Sequence, residues 1–372
     1  MHKLYKAVIM ILEERTTTKP MILFLAEELR TGGAETYFYT LEKRINRDHF
    51  SFHSMAVPSG NEDLLAFPEY FTPYAFSSRS RIKAIVDFAK ENSPSIVHAN
   101  SLRLCFCAAV AKKIGNYDFK IVYTKHNITA LEKISKALFA KFVNDNVDSL
   151  IAICGTDRVA LSAAGVNENL IHQINNGVDL ERYDFCQREW WRAGESKKLH
   201  IGILARLSPE KRHDLFIDIA DIVHQKYPKV SFSIAGDGAE FKSIAAKIKS
   251  KHLEKTVEML GRVNPQEYLK TVDVLLLVSD REVMPMSLLE GMASGCVVVS
   301  RAVGGVKDIV SSDTGFLVTS ERPADYLRVL DCIFDSQNIN EIAFSARELV
   351  EQDYALDSSI KSHSDLYMTL LG

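Results

Sequence analysis

The chain has 372 residues and a mass of 41.8 kDa, with 47% hydrophobic and 25% charged residues. That length holds two or three domains, and that balance excludes a disordered, collagenous or mucin-like chain. A net charge of -3 argues against a dedicated nucleic-acid binder.

In chain order, MILFLA at 21–26 reads as a buried strand, followed by a Gly-containing turn and a helical pattern to about Ile45. Further strands are expected at 50–56, 95–99, 120–123, 149–153 and 170–174. Amphipathic segments at about 79–92, 102–113, 130–146 and 155–164 separate the later ones. The polar stretch 186–198 carries both tryptophans, breaks this pattern and reads as a linker. The alternation then restarts, with strands expected at 199–205, 230–235, 256–260, 274–278, 296–300 and 315–318. Strand–helix alternation means a parallel sheet covered on both faces. The fold class is therefore α/β, two Rossmann-like doubly wound domains facing an interdomain cleft. Ligands of such sheets bind beyond the carboxyl ends of the strands.

No apolar run reaches the roughly 18 residues of a transmembrane helix. The run at 7–12 is too short for a signal-peptide core, so the expected location is the cytoplasm. Six cysteines occur without a CxxC pair, and all are read as small core residues. Neither an HExxH motif nor a DxD tripeptide appears, so no metal site is expected.

Four turns carry residues suited to an anionic ligand. Gly32 and Gly33 open the first helix, where bare backbone and free N–H groups can approach a phosphate; the same pair also suits a purely structural turn. In Ala205–Arg212, Ser208 is placed to cap a helix with Pro209 at its first position. Arg206 and Lys211 can then hold a diphosphate without metal, or be ordinary surface charges. Gly236, in AGDG at 235–238, permits a tight turn. The sharpest pattern is Glu282-Val283-Met284-Pro285-Met286-Ser287-Leu288-Leu289-Glu290, after an apolar strand. Glu282 falls in the turn. Glu290, about five residues into the helix, can accept both hydroxyls of a ribose. The competing reading is two surface glutamates, but Glu290 is flanked by Leu288, Leu289 and Met292.

From about Met21 onward the chain resembles the retaining GT-B glycosyltransferases of family 4. The resemblance rests on GGAE at 32–35, TKHN with His126, NNGVD at 175–179, ARLSPEK at 205–211, AGDG at 235–238, LGRV at 260–263, the two glutamates eight apart, GG at 304–305 and TGFLV at 314–318. It implies that Gly33 approaches the donor phosphate or sugar, and that Arg206 and Lys211 neutralise the diphosphate. It further implies that Glu290 binds the ribose, that Glu282 and His126 contact the donor sugar, and that the backbone at Arg262 and Val263 faces the base. Metal independence is implied too. So is a domain division of 1–185 and 186–354, with a final helix at 355–372 returning to the first domain. Val283 and Met284 depart from the family pattern, where glycine and an aromatic or Leu are usual, and Cys154 replaces the usual Ser. About twenty residues precede the first strand. They suit a small membrane-facing segment or a tail.

The implied activity is transfer of a hexose or N-acetylhexosamine from a nucleotide sugar, preferably a UDP-sugar, to a saccharide or lipid-linked hydroxyl. Bacterial surface polysaccharide or glycolipid synthesis is the expected setting. A sugar-nucleotide epimerase and a donor-binding pseudo-enzyme subunit are the alternatives. Residues 76–147 hold twelve basic and five acidic side chains. Leu131, Ile134, Leu138 and Phe142 recur at helical spacing there beside Lys133, Lys136 and Lys141. Such a helix can lie on an anionic bilayer, or bury its stripe on the sheet.

Overall fold

Short aliphatic and β-branched runs build two parallel sheets in the computed structural model, which describes residues 19–28, 33–58, 71–75, 77–187, 199–336 and 338–372. Gly32, the residues before Lys19 and most of the 186–198 stretch with both tryptophans lie outside the described residues.

The chain divides into two compact units. One comprises 1–151, 164–172 and 363–372; the other comprises 152–163 and 173–362. Residues 173–185 thus cluster with the second unit rather than ending the first. Backbone bonds account for this. Val178 N–H donates to the Tyr354 carbonyl at 2.8 Å, and Arg347 donates to the Tyr183 carbonyl at 2.7 Å. Residues 152–163 join them because Asp308 accepts from both the amide and the hydroxyl of Thr156, at the start of helix Gly155–Ala163.

In the first unit the strands are β1 (Met21–Glu28), β2 (Ser51–Val57), β3 (Phe71–Pro73), β4 (Ile96–Ala99), β5 (Lys120–Lys125), β6 (Ser149–Ala152) and β7 (Ile171–Gln173). Their spatial order is β3-β2-β1-β4-β5-β6-β7. Its core is strand residues such as Leu23, Val97 and Val122 under Leu104 and Phe139 of the covering helices. The single helix expected over 130–146 is two, Ala130–Ile134 and Lys136–Asn146. Ser135 interrupts them because its hydroxyl accepts from the Leu138 amide and caps the second.

In the second unit the strands are β8 (His200–Leu204), β9 (Ser231–Ala235), β10 (Val257–Gly261), β11 (Val274–Leu277), β12 (Val297–Arg301) and β13 (Phe316–Val318). The order is β10-β9-β8-β11-β12-β13. Renumbered from β8 this is 3-2-1-4-5-6, the doubly wound order whose direction reverses between β8 and β11. Val274 pairs with Ile201 and Leu275 with Gly202 across that junction. The core is continuous from Ile201 and Ile203 through Phe216, Phe232, Leu276 and Val299 to Tyr326.

Two expectations need correcting. Cys332 is exposed rather than buried, because it lies on the outer face of the amphipathic helix Pro323–Asp335; Cys186 is half-buried. Ser208 caps no α-helix: Pro209–Lys211 is a single 3-10 turn, and Arg212 then turns left-handed at φ 53 before helix His213–Lys226. The Ser208 hydroxyl donates instead to Glu210 at 2.7 Å, so a carboxylate competes for it with the backbone.

Candidate functional site

The loops after β8 and β11 leave adjacent parallel strands at the reversal point of the second sheet, where such folds bind ligands. The topology therefore brings together two sequence motifs seventy residues apart. Lys211 Nζ donates to Glu282 Oε1 at 2.6 Å, with side chains only 20% and 9% exposed. The Asp280 amide also donates to the Glu210 carbonyl at 2.8 Å, locking the two loops backbone to backbone.

Neighbouring turns hold these loops from both sides. The Leu207 amide donates to the Asp237 carbonyl at 2.9 Å, and Glu240 N–H to the Leu207 carbonyl at 3.1 Å. Gly236, at φ 145, lets the AGDG turn lie directly on the Ala205 carbonyl, where any Cβ would collide. Gly304, at φ 48, does the same beneath the Glu282 carbonyl. The two Gly-containing motifs thus act as backbone seats for the residues carrying charge.

Arg206 is 71% exposed and donates to Glu210 Oε1 at 2.9 Å. Partial burial pushes the Glu210 carboxyl up, but bonds from Ser208, its own backbone and Arg206 outweigh this and hold it near about 2. Glu210 is thus an anion near neutrality, and an incoming anion must compete with it for Arg206. Arg262 follows β10, with Nε 3.4 Å from Asp237, and Val263 follows it.

Met284 and Pro285 are buried and lead into helix Met286–Ala293. Its first amides, from Met286 and Ser287, lie at a helix N-terminus, where backbone N–H groups have no intrahelical acceptor. Glu290 lies one turn further along. Burial raises its carboxyl to about 7, against opposing pulls from a Tyr183 hydrogen bond and the Arg182 charge. It is therefore a carboxyl poised near neutrality, not a permanently charged surface group.

Sequence reasoning did not find Tyr183, which no motif spacing links to Glu290. Nor did it find the ion network of Arg212, Arg301, Asp280 and Glu321. Asp280 accepts from Arg212 at 2.9 Å and from Arg301 at 2.5 Å, which fixes the loop two residues before Glu282. Adjacent to Lys211, His213 is buried, and burial together with the Lys211 charge lowers it to about 4.

In the first unit, His126 directly follows β5. Its ring meets Tyr37 edge-on at 5.0 Å, and its Nε2 is buried without a hydrogen-bond partner. Burial, then the His363 ring, lowers it to about 3, so it is neutral over the physiological range. Lys125, just before it, pairs with Glu132 at 3.5 Å, and Glu132 also closes the capping box with Thr129. Gly33 begins helix Gly33–Arg44.

Comparison with known proteins converges on one family. Residues 31–182 match the model "Glycosyltransferase Family 4", and residues 189–346 match "Glycosyl transferases group 1". The N-acetyl-alpha-D-glucosaminyl L-malate synthase of Bacillus anthracis is 24% identical over 365 residues, covering 93% of this chain and 92% of the relative. The O-antigen biosynthesis glycosyltransferase WbnH of Escherichia coli is 24% identical over 348 residues, with 89% and 96% covered. The structure of Anabaena HepE in complex with UDP and glucose superposes with a TM-score of 0.80 at 23% identity, covering 94% of this chain and all of that one.

Proposed function

This chain belongs to the GT-B glycosyltransferases, which move a sugar from a nucleotide-sugar donor, and we propose that it does so with retention of configuration. The donor is a UDP-linked hexose or N-acetylhexosamine. The acceptor is a saccharide or lipid-linked hydroxyl of a bacterial surface polysaccharide or glycolipid. The observation that carries this reading is the Lys211–Glu282 pair at the β8/β11 reversal. Beside it lie Arg206 and a helix N-terminus, and Glu290 stands one turn up that helix. A diphosphate leaving group needs the first three, and ribose hydroxyls suit the last. The HepE complex with UDP and glucose supports the donor class, and the name of the O-antigen relative supports the pathway class.

The proposed chemistry is leaving-group stabilisation. The bond from the sugar anomeric carbon to the phosphate oxygen breaks, and the acceptor oxygen bonds that carbon on the same face. The acceptor proton passes to the departing phosphate oxygen. Lys211, Arg206 and the amides of Met286 and Ser287 favour the negative charge where it grows. Glu282 orients the sugar hydroxyls.

Incubation with a panel of UDP- and GDP-sugars tests the reading. Slow release of UDP without acceptor, unchanged by chelator, is the expected result. An altered sugar without nucleotide release would make the chain an epimerase. Binding without either would make it a donor-binding subunit, and strict dependence on added manganese would reject the metal-free mechanism.

We further propose a cytoplasmic enzyme that docks peripherally on anionic membrane through its first unit. Among the described residues no helix is long and apolar enough to cross a membrane. The buried face of helix Lys136–Asn146 is Phe139, Ala140 and Val143, so the stripe expected to pack inward is displaced by one position. Ile134 is left 80% exposed, Leu138 56% and Ile128 53%, beside exposed Lys133, Lys136 and Lys141. Three lysines near an anionic surface contribute on the order of 3 kcal/mol. The protein should therefore pellet with anionic vesicles at low salt and release at high salt. Replacing Lys133, Lys136 and Lys141 by Glu should weaken that binding; no pelleting at low salt would sink the membrane reading.

A further inference from the structure

Arg347 stands on helix Ile339–Asp353, outside every motif that suggested a donor site. Its guanidinium Nη1 donates to the Tyr183 carbonyl at 2.7 Å and to the Ala293 carbonyl at 2.8 Å, while Nε donates to Glu351 at 2.6 Å. Ala293 ends the helix that carries Glu290, so a cation there meets carbonyls that the helix itself leaves open. Tyr183 is also the residue whose side chain opposes the effect of burial on the Glu290 carboxyl. The same segment is fastened a second time, where the Cys186 amide donates to the Ser294 carbonyl at 3.3 Å. Gly295, at φ 81, allows that contact because a Cβ there would press on the Cys186 carbonyl.

One planar group therefore ties the backbone of Tyr183 to the end of the helix that carries Glu290. We propose that Arg347 is a positioning residue for nucleotide-sugar binding, acting through Tyr183 to orient the Glu290 carboxyl toward the donor ribose. The inference rests on the reading of Glu290 as the ribose-binding group. The geometry favours Arg over Lys, because its fixed fork of donors serves two carbonyls and a carboxylate at once.

A positioning role predicts an effect on donor binding rather than on turnover. Donor Kd and KM, kcat and acceptor KM should be measured for Arg347→Ala, Arg347→Lys, Tyr183→Phe, Glu290→Gln and the Arg347→Ala/Tyr183→Phe double variant. Arg347→Ala and Tyr183→Phe should each raise donor KM roughly three- to tenfold, the loss of one ordinary hydrogen bond. Values of kcat and acceptor KM should stay within about twofold of wild type. Arg347→Lys should recover part of the donor affinity. The double variant should be little worse than Tyr183→Phe alone, since both changes remove one linkage. Wild-type donor KM in Arg347→Ala, or fully additive effects in the double variant, would overturn the proposal. If Arg347→Ala does not fold, Arg347→Lys combined with Tyr183→Phe decides on the same criterion. Wild-type donor affinity in Glu290→Gln would instead reject the ribose reading itself.

Discussion

Lys211→Ala is expected to lower kcat about 10²–10³-fold, as loss of one donor to a developing oxyanion costs about 2.7–4 kcal/mol. The charge on the diphosphate grows as the sugar–phosphate bond breaks, so the interaction is stronger in the transition state than in the bound donor. Donor KM should therefore change much less than kcat. Arg206→Ala should cost less, about tenfold, because Arg206 is largely exposed and shares its charge with Glu210. A confounding effect exists, since Lys211 also neutralises the half-buried Glu282. Removing one partner of such a pair leaves an uncompensated charge and can disturb the loop by itself. The double variant Lys211→Met/Glu282→Gln separates the two. If Lys211 acts on the diphosphate, the double variant is no more active than Lys211→Ala. If it only neutralises Glu282, the double variant rises to the activity of Glu282→Gln alone, and the leaving-group role fails.

That pair also shows how much of the site was legible in the sequence. Strand–helix alternation located the turns after β8 and β11, and the residue types in them named the chemistry. Both sheets emerged because every strand but β3 follows a short, largely apolar run bounded by Gly or polar residues, a signal that is local. Features that depend on distant partners were not legible. Strand β3 is three residues at a sheet edge, with Pro73 and too short for any period. The Ser208 hydroxyl had two possible partners, a helix amide to accept from and the Glu210 carboxylate to donate to, and only the folded loop selected Glu210. The helix at 136–146 shows two overlapping apolar spacings, and packing buries Phe139 and Val143 rather than Leu138. Tyr183 and Arg347 lie 164 residues apart and meet at the end of the helix that carries Glu290, so no window of sequence relates them.

Donor affinity is expected to rise with pH through about 7, and Glu290 is the reason. Its carboxyl is held near about 7 by burial, so at pH 6 roughly a tenth of the molecules carry the anion that best accepts ribose hydroxyls. At pH 8 about nine-tenths do, so donor Kd should fall on the order of tenfold between these values. The donor diphosphate is a diester that keeps its charge over this range and adds no slope of its own. The sign for stability is opposite. The folded carboxyl binds its proton more tightly than the unfolded one, so the free protein loses stability as pH rises from about 4.5 to about 7. Donor binding selects the ionised form and offsets that loss, so the thermal shift on adding donor should be larger at pH 8 than at pH 6. Glu290→Gln cannot titrate. It should bind donor weakly at both pH values, show no donor slope and lack the stability decline that Glu290 causes. Isothermal titration of UDP-sugar across pH 6 to 8 checks this in both proteins. A flat wild-type profile, or an equal slope in Glu290→Gln, would place the titrating group elsewhere and remove the carboxyl at the helix from donor recognition.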